Sequence, residues 1–198
     1  MLRFTLTVNY TGNGPHPVVL NFTVATGRPI ATPSHFAYTG PPVAIPDNNP
    51  NGIDIPLPVS FSGAIARAVF NIDGTACSAI EGSTTVGVDH TWVGDLAFTL
   101  TSPGGKTVTL INQAGGPGNS GNNFCQTLLS DSAITPVQSV LVVQAPFTGP
   151  WKPASPLAAF SGDTADGTWV LHASDAAFQD TGSVRAFSLD LSWFDCTR

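Results

Sequence analysis

The sequence predicts an all-β protein, and three observations support this prediction. Apolar and polar residues alternate with a period of two in several segments, as they do along a strand with one buried face. The 20 glycines and 17 prolines divide the 198 residues into short segments. Glu81 is the only glutamate and Lys106 and Lys152 are the only lysines, so the residues that favour exposed helices are almost absent. Long helices, coiled coils and helical bundles are therefore excluded.

The first predicted element is a β-hairpin. After the alternating segment 2–10 come the turn 11–17 and a second alternating segment, 18–24. One face of the first strand is apolar and carries Leu2, Phe4, Leu6, Val8 and Tyr10. Two strands alone cannot bury a core. Residues 1–25 are therefore predicted to be the tail of an upstream β-sandwich or a strand pair exchanged with a neighbouring copy of the chain.

A linker and a larger domain follow the hairpin. Residues 26–46 contain five prolines and no sustained periodicity, so 26–44 is predicted to be a Pro-rich linker. The domain 45–198 has short strand candidates separated by Gly, Asn, Pro and Asp turns. These candidates are 65–72, 84–92, 96–102, 107–111, 139–143, 167–173 and 183–193. Their number fits a two-sheet jelly-roll β-sandwich. The long loops 112–126 and 144–166 are where function is expected.

The charge of the chain limits its partners and its location. The net charge is −6 and there is no cluster of Lys and Arg, so we expect no nucleic-acid partner. No run approaches the roughly 18 apolar residues of a membrane span, and we expect none. Residues 1–10 lack the apolar core of a signal peptide, which leaves a removed leader or a fragment of a longer chain. Low Lys and Glu with high Thr, Asn and Gly favour a secreted or cell-surface protein.

The three cysteines favour a disulfide over a zinc site. Cys77, Cys125 and Cys196 form no Cys-x-x-Cys motif, and no histidine lies at metal-ligand spacing from them. In an oxidising compartment two of them would pair, and Cys77 with Cys125 is the favoured pair because both lie in turn-rich loops. Cys196 is then left over. Three reduced, partly buried thiols remain the alternative.

No catalytic motif is complete in the sequence. The Gly-x-Ser-x-Gly elbow, the His-Glu-x-x-His motif and the serine and histidine motifs of subtilisin-like enzymes are absent, and one glutamate cannot supply a two-glutamate pair. The single Asp180-Thr-Gly segment resembles half of an aspartic-protease site but is better explained as a tight turn. His90 and His172 lie in predicted strands and are expected to be structural. The chain is therefore not expected to be an enzyme by itself.

Oxygen-bearing side chains suggest a calcium site. Asp47, Asn49 and Asn51 occupy the first, third and fifth positions of a loop that continues to Gly52, as in the first half of a calcium loop. The twelfth position is Pro58, so an EF-hand is excluded. A calcium site completed by distant loops and an Asx-rich turn both remain open. A second acidic group bounds one predicted strand and comprises Asp163, Asp166, Asp175 and Asp180.

An ordered set of motifs resembles a known family. The segment Asp89-His-Thr-Trp-Val-Gly-Asp-Leu is followed by Leu100-Thr-Ser-Pro-Gly-Gly, then by Ala145-Pro-Phe-Thr-Gly, Gly167-Thr-Trp and Phe187-Ser-Leu. This order, over residues 45–193, resembles the P domain (P/Homo B domain) of kexin- and furin-like proprotein convertases and of bacterial secreted subtilisin-like proteases. The matched motif residues are His90, Gly94, Asp95, Leu96, Gly167 and Trp169.

The resemblance implies a jelly-roll β-sandwich of the galactose-binding-domain-like kind, without catalytic residues. It implies a domain that packs against and stabilises a subtilisin-like serine protease domain, or sometimes a metalloprotease domain, in the parent chain. Some bacterial members bind calcium, which points to Asp47 and Asn49, with Asp95 as a further ligand. The alternative function is that of a structural or adhesive surface protein in which the domain is a packing unit and residues 1–25 pair with the next copy.

Overall fold

The computed structural model describes residues 2–14, 17–24, 27–29 and 32–195, and it confirms the all-β fold class. Within these ranges the chain forms fifteen strands. They are β1 Leu2–Val8, β2 Val18–Val24, β3 Arg28–Pro29, β4 Ser34–Ala37, β5 Val43–Ile45, β6 Asn49–Val59, β7 Ile65–Ile72, β8 Val88–His90, β9 Leu96–Thr101, β10 Thr107–Asn112, β11 Phe124–Leu129, β12 Phe147–Trp151, β13 Gly167–Asp175, β14 Gly182–Val184 and β15 Phe187–Asp195. The helical elements among the described residues are four short 3₁₀ turns, Val93–Asp95, Val137–Ser139, Val142–Gln144 and Leu157–Phe160.

Strands β1 and β2 form an antiparallel hairpin that joins neither of the larger sheets in the described part of the chain. Its register places apolar residues opposite each other on every second rung, with Phe4 facing Phe22 and Leu6 facing Leu20. The intervening rungs pair Arg3 with Thr23, Thr5 with Asn21 and Thr7 with Val19. One face of the hairpin is therefore apolar, because side chains alternate between the faces of a strand.

The other strands form a β-sandwich. The smaller sheet has the order β10-β9-β13-β6, and the larger has the order β3-β15-β7-β11-β8-β14-β5, with β4 on β15 and β12 on β11. Side chains from both sheets form one core, which includes Leu57, Leu100 and Trp169 from the smaller sheet and Phe70 and Phe187 from the larger. Alternation places these residues on the inner faces, where their burial drives the packing of the two sheets.

Strand β6 is not predicted from the sequence, and it contains Pro50, Pro56 and Pro58. It pairs only with β13 and so lies at the edge of the smaller sheet. Proline lacks an N–H group and is tolerated at an edge, where a donor is not needed on the outer side. The intervening Ile55 and Leu57 are buried in the core, so β6 still contributes an apolar face.

The predicted strand 139–143 is wrong. These residues lie in and between the 3₁₀ turns Val137–Ser139 and Val142–Gln144. Leu141, Val142 and Val143 are exposed, so this apolar run is not a buried strand. The side chain of Gln144 accepts a hydrogen bond from the N–H of Leu141 at 2.7 Å and closes the second turn. The predicted loops 112–126 and 144–166, in contrast, contain the start of β11 and all of β12.

Part of the predicted linker 26–44 is packed on the sandwich. Strand β4 pairs with β15, and β5, which begins at Val43, pairs with β14. The Tyr38 ring stacks on Phe187 with 5.0 Å between the ring centres, and Phe36 contacts Phe61 edge-on. These contacts attach residues 34–45 to the core.

A disulfide joins Cys77 to Cys125, which is the pair that the sequence favours. Cys77 lies in the segment after β7 and Cys125 in β11, with 5.4 Å between their Cα atoms. Cys196 lies outside the described residues. Among the described residues, no helix has the length and apolar character needed to cross a membrane.

Candidate functional site

The candidate site lies where β13 ends. The register places Asp175, the last residue of β13, opposite both Asn49 of β6 and Leu96 of β9. The N–H of Ala176 donates to the carbonyl of Asp95 at 3.0 Å. Further along the same loop, the N–H of Gln179 donates to Asp47 Oδ1 at 3.1 Å. Three distant segments are thereby held together at one end of the smaller sheet. We call Asp47, Asp95, Asp175 and Asp180 the acidic cluster.

The deepest part of the site is the pair His90 and Asp175, whose side chains are both 0% exposed. His90 Nε2 lies 3.2 Å from Asp175 Oδ2, and Asp175 Oδ1 accepts the N–H of Ala177 at 2.9 Å. His90 Nδ1 contacts the main chain of Trp92, at 3.1 Å from its nitrogen and 3.0 Å from its oxygen. Both oxygens of the buried carboxylate therefore have partners, as burial of a charge requires.

Asp95 is held differently from Asp175. It is 4% exposed, and none of the hydrogen bonds among the described residues reaches its side-chain oxygens. Burial raises the pKa of Asp95 above its usual value, and the neighbouring carboxylates of Asp175, Asp180 and Asp47 raise it further, while His90 acts in the opposite direction. The cluster thus contains a carboxylate that accepts no hydrogen bond from the described residues and is surrounded by other carboxylates. This arrangement favours a bound cation.

Asp47 and Asp180 lie close enough to Asp95 to raise its pKa, and other predicted oxygen ligands are already engaged in hydrogen bonds. Asp180 Oδ1 accepts the hydroxyl of Thr91 at 2.7 Å. Asn49 Oδ1 accepts the N–H of Asn51 at 3.0 Å, the local bond expected of an Asx-rich turn. Over the described ranges, no three His, Cys, Asp or Glu side chains converge closely enough to hold a metal ion by themselves. Coordination here would need main-chain or Asn oxygens as well, which calcium accepts.

The predicted second acidic group is not a single site. Asp175 and Asp180 belong to the acidic cluster, whereas Asp163 and Asp166 precede the other end of β13. Asp163 pairs with Lys106 Nζ at 2.7 Å, and Asp166 Oδ1 accepts the N–H of Phe61 at 3.2 Å. A nine-residue strand separates the two pairs by about 26 Å. The four carboxylates therefore lie at or beside the ends of β13, two at each end.

The motif residues build the support of the site. A Cβ at Gly94 would meet the carbonyl oxygen of Gly116 and lie 2.9 Å from the nitrogen of Asn119, so only glycine lets the 3₁₀ turn approach this loop. Leu96 is fully buried. Trp169 Nε1 donates to the carbonyl of Ala165 at 2.9 Å. Its ring packs edge-on against Phe160 with 4.8 Å between ring centres. These contacts fix the elements that carry Asp95 and Asp175.

Two polar features of the larger sheet are not predicted by the sequence. Arg185 Nη2 donates to Asp89 Oδ2 at 2.9 Å. A second set of bonds connects Asp73, Ser188, Asn71, Asp190 and His35, with Ser188 Oγ donating to Asp73 at 3.1 Å. Burial raises the pKa of Asp73, the hydrogen bond from Ser188 and the nearby His35 lower it, and Asp190 raises it. The partners in all of these bonds lie between 96 and 155 residues apart in sequence, so no local pattern identifies them.

Comparison with known families gives one match over this region. The sequence model of the "Proprotein convertase P-domain" matches residues 83–191, which is more than half of the chain. The match contains Asp95, Asp175 and Asp180 of the acidic cluster, and Asp47 lies outside it.

Two characterised bacterial proteins are similar to the chain. Leupeptin-inactivating enzyme 1 of Streptomyces exfoliatus is 24% identical over 168 residues, which are 85% of this chain and 28% of that protein. The calcium-dependent protease of Nostoc sp. (strain PCC 7120) is 29% identical over 140 residues, which are 71% of this chain and 17% of that protein. The chain therefore spans less than a third of either relative.

Among solved structures, the serine protease of Aeromonas sobria in complex with its chaperone is similar to the chain. The identity is 16% and the TM-score is 0.49, over 87% of this chain and 28% of that chain.

Proposed function

Because the chain belongs to the proprotein convertase P-domain family, we propose that it is the non-catalytic accessory domain of a subtilisin-like serine protease. The observation that carries the proposal is the family match over 83–191, which includes the motif residues and most of the acidic cluster. The protease relatives and their much greater length support it. The domain would stabilise a protease domain by packing against it, since contacts made only in the native state add to its stability.

The parent architecture is tested by reading the gene around this segment. We expect one open reading frame that also encodes a domain with the Asp, His and Ser motifs of a subtilisin-like protease. A complete frame without any protease domain would overturn the protease context and favour the structural or adhesive alternative. Incubation of the purified chain with labelled casein is the companion assay. No hydrolysis is expected, and hydrolysis that co-purifies with the folded chain would contradict the non-catalytic role.

We further propose that calcium binds at the acidic cluster and stabilises the domain. Asp95 is the central ligand in this proposal, because its carboxylate accepts no hydrogen bond from the described residues and because burial and the neighbouring carboxylates raise its pKa. Because no three carboxylates of the described residues converge on one point, Asp47 and Asp180 would contact the ion mainly through water, and Asn49 would add an amide oxygen. Calcium accepts six to eight oxygen ligands in flexible geometry, so main-chain oxygens and water would complete the shell. The name of the Nostoc relative, a calcium-dependent protease, is in agreement with this assignment.

The calcium proposal is tested by thermal unfolding in CaCl₂, in MgCl₂ and in chelator. At 100 times the dissociation constant, calcium should raise the melting temperature by about 5 °C or more. Asp95→Asn should abolish this rise. The matched control is Asp73→Asn, because burial also raises the pKa of Asp73 but this residue lies outside the acidic cluster. The Asp73 variant should keep the calcium response, and an equal loss in both variants would contradict the site.

We also propose an extracellular location. The Cys77–Cys125 disulfide supports it, because disulfides persist in oxidising compartments. Trapping the free thiols in cells with an alkylating reagent, followed by mass spectrometry, tests it. Both residues should be found oxidised, and a reduced, alkylated pair would contradict the location.

A second candidate function is assembly of an extracellular structure from copies of the chain. The exposed apolar face of the hairpin favours it, because such a face can provide one of the contacts between copies.

A further inference from the structure

The hairpin β1–β2 presents an apolar face that the rest of the described chain does not cover. Phe4, Leu6, Leu20 and Phe22 are between 43% and 51% exposed, in contrast to the core phenylalanines of the sandwich such as Phe70, Phe98 and Phe124, which are 0% exposed. An isolated two-stranded hairpin is at best marginally stable in water. A contiguous apolar face of this kind is typical of an interaction surface.

The pattern of this face is self-complementary. Three of its four rungs pair Phe4 with Phe22, Leu6 with Leu20 and Val8 with Val18, two residues of the same type, and the fourth pairs Leu2 with Val24. A twofold axis parallel to the strands would place every rung over the same rung of a second hairpin. Residues of equal size would then meet across the interface, as an isologous contact requires.

The area of the face is sufficient for a weak dimer. The exposed halves of two phenylalanines, two leucines and the flanking valines amount to on the order of 500 Å² per copy. Two copies would bury about 1,000 Å², which is the lower limit of a specific interface. The contact is therefore expected to be reversible and concentration-dependent.

The charge distribution also favours association through the hairpin. Residues 1–46 contain Arg3 and Arg28 and no Asp or Glu, whereas residues 47–198 contain 5 Lys and Arg and 13 Asp and Glu. The charge of the second region is therefore 5 − 13 = −8. Two sandwiches repel each other, while two apolar hairpin faces meet without a carboxylate between them.

We propose that the apolar face of this hairpin is a self-association surface that packs face to face on the hairpin of a second copy. The interface closes on itself and gives a dimer. It does not depend on the proposed accessory function or on calcium.

The test is sedimentation velocity on the full chain in a Cys196→Ser background, which excludes an intermolecular disulfide through that residue. Phe22→Asp places a charge in the apolar face, and Thr7→Asp places the same charge on the opposite face of the hairpin. We expect a concentration-dependent dimer, weakened at least about 10-fold by Phe22→Asp and by less than about 3-fold by Thr7→Asp. Tryptophan fluorescence checks that the sandwich remains folded, since all four tryptophans lie between residues 92 and 193.

Three results would overturn the proposal. The first is a monomer at every concentration, and the second is equal weakening by the two substitutions. The third is growth beyond the dimer, which an open-ended contact between hairpin and sandwich would produce. The salt dependence of association distinguishes a face-to-face dimer from a contact between hairpin and sandwich. Screening should strengthen a face-to-face dimer of acidic sandwiches, whereas a contact of the Arg-bearing hairpin with an acidic surface would weaken with salt.

Discussion

The hairpin and the sandwich use the same sequence pattern with opposite results. In β1, apolar residues at every second position include Phe4, which is 51% exposed. In β15 the same alternation includes Phe187, which is 1% exposed. The difference is that a second sheet lies over the inner face of β15, while the described chain provides none for the hairpin. Alternation therefore predicts which face is to be covered, and the topology decides whether the same chain covers it.

The largest difference in stability between the hairpin and the sandwich is expected when one phenylalanine in each is replaced by alanine. Phe70→Ala empties a fully buried position beside Phe187 and should lower the free energy of unfolding by about 3–5 kcal/mol. Phe22→Ala should change it by less than about 0.5 kcal/mol, because Phe22 is nearly half exposed. Urea unfolding followed by tryptophan fluorescence, at concentrations where the chain is monomeric, measures both. Similar losses would mean that the hairpin unfolds together with the sandwich.

Removal of the disulfide should affect one region only. Cys77 and Cys125 are 48 residues apart in sequence. Their double substitution to Ala should lower the free energy of unfolding by about 2–4 kcal/mol, because the unfolded chain gains conformational freedom. No disulfide in the described residues connects the hairpin to the sandwich. Dimerisation should therefore persist under all conditions in which the sandwich of the variant remains folded. Urea unfolding and sedimentation of the same variant measure the two effects. Loss of the dimer before unfolding begins would contradict this separation.

At the acidic cluster, burial of the ionised Asp95 side chain lowers the stability of the sandwich. Because the folded pKa of Asp95 lies above its unfolded value, the folded state binds the proton more tightly. Stability should therefore rise as the pH falls through the folded pKa, and ionised Asp95 should destabilise the domain at neutral pH. In chelator, Asp95→Asn should raise the melting temperature at pH 7, and this difference should close near pH 4. A variant that is less stable than the wild type at pH 7 would refute the argument.

The smallest effect is expected in the hydrogen exchange of the hairpin, because it involves local opening without loss of the fold. In dilute solution the amides of β1 and β2 should exchange much faster than those of β7 and β13. At concentrations that favour the dimer, exchange in the hairpin should slow, while that in the sandwich should not change. Exchange with mass-spectrometric detection resolves these segments. Concentration-independent exchange in the hairpin would argue against the self-association surface.

The sequence predicts the parts of the fold that depend on local patterns. The hairpin, β7 and β10 follow from alternation and turn residues, and the favoured disulfide is present. Strand β6 could not be predicted from local patterns. Its prolines are compatible with a strand only at a sheet edge, and edge position is a property of the topology. The run 139–143 was misassigned because its apolar residues are exposed rather than buried.

The candidate site could be predicted only in part. Asp47 and Asp95 were named from spacing and resemblance, but their proximity to Asp175 and Asp180 depends on register between strands that are far apart in sequence. The bond between His90 and Asp175 joins residues 85 positions apart. The division of the second acidic group follows from the length of β13, whose nine residues place its flanking loops at opposite ends of the sheet.

The edges of the smaller sheet have a consequence for the behaviour of the protein at high concentration. Pro56 and Pro58 cannot donate to β13, so they occupy positions of β6 whose N–H would otherwise point outward. On the opposite edge, the N–H groups of Ala154 and Ser155 already bond to the carbonyls of Leu110 and Thr109. Neither edge offers a continuous template on which a foreign strand could extend the sheet. The smaller sheet is thereby protected against the edge-to-edge strand pairing from which amyloid-like fibrils grow.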